Sequence, residues 1–169
     1  WSVALTNAVN RFCAAYGAVV FCEHASNYVG KYRVYNSIVN QQEAFKKDSY
    51  RNDVLIHIGE VTGYGNEAVG NTKEVWRVNE DGELRDLYRK LCTVFEMPEE
   101  LFFSHYAEVA GNRSLQQKEG EMWLMSCHSD YEKLHSAIGE LPFSNLWIAR
   151  QTVHRLPEGC YFHLSILNS

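Results

Sequence analysis

Asp53-Val-Leu-Ile-His-Ile-Gly59 and Lys73-Glu-Val-Trp-Arg-Val78 decide how this chain is read. Each holds a short run of β-branched, aliphatic or aromatic residues, and the first closes on a glycine. Such runs are too short for an ordinary helix and read as strands covered on both faces. Ala18-Val-Val-Phe-Cys22 is a third run of the same kind. Apolar strands separated by helical segments imply the α/β class: a three-layer α/β/α arrangement, with a Rossmann-like parallel sheet, helices on both faces and right-handed crossovers.

Working outward, residues 3–16 place Val3, Leu5, Ala8, Val9, Phe12 and Tyr16 near one helical face, with Gly17 as the C′ residue. Residues 23–35 are polar and tyrosine-rich, broken at Gly30, and 36–45 predict a short helix. A glycine-rich connection over 62–70 follows the strand 54–58. The strand 74–78 leads into the turn Asn79-Glu-Asp-Gly82. Leu84, Leu87, Leu91 and Val94 predict a helix over 84–95, and Pro98 fits N1 of the next helix, which carries Leu101, Phe102, His105 and Tyr106. Residues 115–138 are roughly helical in spacing, though Gly120 and the cluster 126–130 argue for a break. A helix over 145–156 capped by Ser144 and a strand over 161–167 complete the chain.

The 169 residues suit one domain, or one domain and part of another. With 46% hydrophobic and 13% aromatic residues there is enough side chain to bury a core, which excludes a disordered chain. The net charge of −5 comes without any basic run, so no nucleic-acid footprint is present. No stretch approaches the roughly 18 apolar residues of a membrane span. Five cysteines, odd in number, widely spaced and without a CxxC, read as reduced thiols of a cytoplasmic protein. Trp1 is not a natural start and residues 160–169 end on an apolar run, so the chain reads as a piece of a longer polypeptide.

Ligands of parallel sheets sit at the carboxyl ends of strands. That directs attention to the loops 23–35, 59–70 and 79–82. The passage Ile58-Gly-Glu-Val-Thr-Gly-Tyr-Gly65 can bring backbone amides to an anion, but it is neither GxGxxG nor a P-loop, and a tight strand exit explains its glycines equally well. Glu80 and Asp81 are acids where a dinucleotide reading would want one, or simply a polar turn. Glu23 and His24 follow a strand as an acid–base pair would, yet as sequence neighbours they diverge on an extended chain. Ser26, Asn27 and Lys31 add polar groups to that loop. His57 reads as a packed core histidine, and Trp76, Trp123 and Trp147 as packing residues.

The order Asp53–Gly59, Val61-Thr-Gly63, Lys73–Val78 and a turn with Gly82 resembles the central domain of thiamine-diphosphate-dependent enzymes, most of all the menaquinone-pathway carboligases. Leu156-Pro-Glu-Gly159 and the closing Asn168-Ser169 resemble the entry into the diphosphate-binding domain of that family. The resemblance implies a central domain over 1–140 and the start of the diphosphate-binding domain over 141–169. It implies a parent enzyme that uses thiamine diphosphate and Mg²⁺ to join decarboxylated 2-oxoglutarate to isochorismate, as a homo-oligomer, with the other two domains of the same chain as partners. The cofactor's metal-binding motif and activating glutamate lie outside these residues, so the isolated piece is expected to bind no cofactor and to be inactive. Basic residues that bind substrate carboxylates in the family fall on Tyr64 and Gly65, a departure that opens the door to a relative acting on another 2-oxo acid. Asn168 and Ser169 match the family's substrate-side pair. A strand precedes the first helix in the family, and its absence here is expected to leave a gap or an exposed edge in the sheet. A free-standing Rossmann-type nucleotide-binding domain and a non-catalytic interaction module are the alternatives.

Overall fold

The computed structural model describes residues 1–22, 26–35, 52–59, 72–111 and 114–161. Contacts divide the chain into two units, Trp1–Glu132 and Lys133–Ser169. In the first, α1 (Val3–Tyr16) precedes the strands β1 (Val20–Cys22), β2 (Arg33–Tyr35), β3 (Val54–Ile58), β4 (Glu74–Asn79) and β5 (Leu91–Glu96). The helix α2 (Glu99–Val109) follows, then α3 (Ser114–Ala137), which begins in this unit. The second unit holds α4 (Asn145–Val153).

Every described strand pair is parallel, as the apolar runs predict. The strands form two sheets, β1–β2 and β3–β4–β5, where a single sheet was expected. β1 pairs Phe21 with Val34, and β3 pairs Ile56 with Trp76, while β4 and β5 slip register between Val75 and Trp76.

Helix α1 starts where the Ser2 hydroxyl accepts the Leu5 N–H at 2.9 Å, and stops at Gly17, whose left-handed φ of 65° a side chain would disfavour. Its buried face is Ala8, Val9, Phe12, Cys13 and Ala15, while Val3 is 80% exposed. Phe12 stacks on Tyr16 and meets Phe103 edge-on at 5.2 Å and Phe102 at 6.4 Å, and Phe102 in turn meets Phe95 of β5 at 4.9 Å. The Arg11 guanidinium donates to Ser104 Oγ at 3.2 Å and the Tyr16 hydroxyl donates to the Tyr106 carbonyl at 3.0 Å. Contacts in that order mean that α1 and α2 run the same way, side by side.

On the first sheet, Tyr28 lies beside the thiols of Cys13 and Cys22, and its hydroxyl donates to Asn10 Oδ1 at 2.7 Å. Trp123 of α3 meets Phe21 edge-on at 5.8 Å. Since neighbouring strand residues point to opposite faces, α1 and α3 cover the two sides of β1. The ring of His128 sits 2.9 Å from the Arg33 carbonyl and ties α3 to β2.

Four expectations are corrected. Residues 84–95 do not form a helix: Leu84 is 82% exposed, the Asp86 carboxylate accepts the N–H groups of Lys90 and Leu91, Arg89 takes a left-handed φ of 55°, and Leu91–Glu96 is a strand. An Asp that bonds nearby backbone N–H groups competes with a helix, and the β-branched and aromatic residues after it suit a pleat. Residues 33–35, expected in a loop, pair with β1. α3 runs through Gly120 without a break, because Gly120 packs on Gly17: a Cβ at either position would run into backbone of the other's helix turn. Pro98 is the residue before α2, one place earlier than N1. The helix at 36–45, the connection at 62–70 and the strand beyond Tyr161 lie outside the described residues.

Phe102→Ala empties the junction of α1, α2 and β5, and is expected to cost about 3–5 kcal/mol in urea unfolding. Gly120→Val keeps the helix but forces α3 from the end of α1, with an expected loss of about 1–3 kcal/mol; an unchanged midpoint would refute the close approach.

Candidate functional site

The two sheets diverge around one cavity of about 1270 Å³ in the first unit. β1 and β3 form its walls, and Val9, Phe12, Phe102 and Phe103 are among the apolar side chains that line it. At the carboxyl ends of the strands its rim is polar: Ser26 and Asn27 follow β1, His57 and Gly59 close β3, and Tyr88 and Trp1 stand beside them. Asn27 takes a left-handed φ of 54°, which its short polar side chain tolerates, and the Trp1 ring lies 4.8 Å from that of Tyr28.

Arg77 is the organising charge at this rim. Its side chain is 0% exposed. One terminal nitrogen donates to the Gly59 carbonyl at 3.1 Å and lies 3.4 Å from His57 Nδ1, and the other donates to the Asp81 carboxylate at 3.2 Å. For the contact with His57 to be a hydrogen bond, Nδ1 must be the acceptor, which puts the ring proton on Nε2. Arg77 Nε has no partner among the described residues. A buried cation is costly unless it is paired and hydrogen-bonded. Here it is neutralised by Asp81 and tied to the point where the chain leaves β3.

The turn after β4 is built to hold that carboxylate. Asn79 Oδ1 accepts the Asp81 N–H at 3.1 Å, Asp81 Oδ1 accepts the Glu83 N–H at 2.9 Å, and Gly82 takes a φ of 61°. Arg85 bridges Glu83 at 2.6 Å and approaches Asp81 at 3.9 Å. The Glu83 N–H, and then the Arg77 and Arg85 guanidinium groups, hold the Asp81 carboxyl below the usual carboxylate range. Asp81 is therefore engaged by Arg77 and not presented as a lone acid to a ribose.

Tyr64, Gly65, Asn168 and Ser169 lie outside the described residues, as do Glu23 and His24. Of the other candidates, Ser26, Asn27 and His57 are brought to one cavity rim, and His57 is half-buried there. Lys31 lies instead over the Tyr32 ring at 5.3 Å. Trp76 packs against Phe95, and Trp147 against Phe143 within the second unit, as packing residues do. Arg77, Tyr88 and Trp1 were not anticipated. The one signal for Arg77 was an arginine between Trp76 and Val78 inside an apolar strand.

Among curated proteins, the chain is 32% identical over 93 residues to 2-succinyl-5-enolpyruvyl-6-hydroxy-3-cyclohexene-1-carboxylate synthase of Bacteroides thetaiotaomicron. The match covers 55% of this chain and 15% of that protein, so the chain spans a small part of the relative's length. No family model and no solved structure matches.

A depressed carboxylate stabilises the fold above its unfolded pKa, and that contribution is lost as pH falls through the folded pKa. Asp81→Asn is expected to lower stability at neutral pH and to flatten the loss between about pH 5 and pH 2. Urea midpoints measured across that range check this, and parallel acid limbs for the two proteins would contradict it.

Proposed function

We propose that this chain is the central domain, with the start of the diphosphate-binding domain, of a thiamine-diphosphate-dependent carboligase. The parent reaction is the menaquinone-pathway step that joins decarboxylated 2-oxoglutarate to isochorismate, or the equivalent step of a relative acting on another 2-oxo acid. The observation that carries this reading is the 93-residue similarity at 32% identity to the Bacteroides synthase. The parallel α/β build of the first unit is what such a domain requires.

In this reading the domain does no bond-breaking. Its part is to hold the substrate-side loops, while thiamine diphosphate supplies the electron sink for decarboxylation elsewhere in the parent. Among the described residues no three His, Cys, Asp or Glu side chains converge where a cation could sit. In this reading the seat for Mg²⁺ and the diphosphate belongs to the rest of the parent, and no step is routed through the residues described here. In this reading Asn168 and Ser169 correspond to the family's substrate-side pair, and Tyr64 and Gly65 to the positions of its carboxylate-binding residues. A dicarboxylate wants a guanidinium or ammonium there. Arg77 does not supply it, being buried and engaged by Asp81 and Gly59. That favours a 2-oxo acid whose second carboxylate is bound from another domain, or one without a second carboxylate.

The partners in this reading are the remaining domains of the parent and further copies of it, in the cytoplasm. Among described residues no helix is long and apolar enough to cross a membrane. In the second unit α4 buries none of its residues, and Phe143 and Leu146 are 82% and 70% exposed, as expected of a segment that packs against more protein.

The test is made on the full-length parent. Release of CO₂ from 2-oxoglutarate that depends on thiamine diphosphate and Mg²⁺ is expected, with Ser169→Ala lowering kcat/KM about tenfold, the worth of one lost hydrogen bond. Calorimetry on the 169-residue chain is expected to show no binding of thiamine diphosphate with Mg²⁺. Micromolar binding of NAD, NADP, FAD or ADP by this chain would replace the proposal with the nucleotide-binding reading.

A further inference from the structure

We draw no further inference here: the strongest candidate, the exposed apolar stripe of Leu115, Met122 and Met125 along α3 in the first unit, carries nothing because nothing in the structure shows what covers it.

Discussion

Phe12 against Phe102 and Phe103 is the contact on which the first unit depends. Among the described residues no strand pairing joins the two sheets. What sets them in one layer is α1, lying on β1, meeting α2, lying on β5, through this aromatic junction, with Phe95 extending it into the second sheet. Aromatic pairs at these distances contribute beyond the area they bury, and their edge-to-face geometry resists sliding. The junction therefore fixes direction as well as distance. It sets the two small sheets on either side of the cavity that β1 and β3 line.

A second constraint acts at the carboxyl end. Arg77 carries a full charge where no water reaches it, and its neutralisation needs Asp81 on the following turn and the Gly59 carbonyl on the preceding strand exit. Removing Asp81 would leave the buried Arg77 charge without its counter-ion, whereas Asp81, exposed and also held by the Glu83 N–H and Arg85, would stay satisfied without Arg77. The effect is to tie Gly59, at the end of β3, to β4 through the strand from which Arg77 projects.

The strands at 54–58 and 74–79 were legible because a strand buried on both faces writes its whole length in apolar residues. The strand at 91–96 was not, since Leu84, Leu87, Leu91 and Val94 happen to fall at helical spacing, and only the local bonds of Asp86 and the φ of Arg89 decide against it. Gly120 misled for a related reason. A glycine within a helix signals either a break or a close approach, and the partner that settles the matter, Gly17, lies a hundred residues away. The same distance problem hid the site. Arg77 became meaningful only beside His57 and Gly59, which precede it by about twenty residues, whereas the polar turn that holds Asp81 was visible in Asn79-Glu-Asp-Gly82 itself. The loop residues Tyr64 and Gly65 and the terminal Asn168 and Ser169 rest on resemblance alone.

The cavity and the charged rim belong to one physical problem. A doubly wound sheet makes its ligand crevice where the strand order reverses, because there the connections leave in opposite directions and open a space above the carboxyl ends. Here the cavity between β1 and β3 is lined by Val9, Phe12 and Phe102, with Ser26, Asn27, His57 and Gly59 at its rim, so a ligand entering from the carboxyl ends would meet polar groups first and apolar side chains below them. Arg77, locked to Gly59, holds the β3 side of that rim in place. The polar chemistry at this end of the fold is therefore set by the residues that follow the strands and not by the cavity walls.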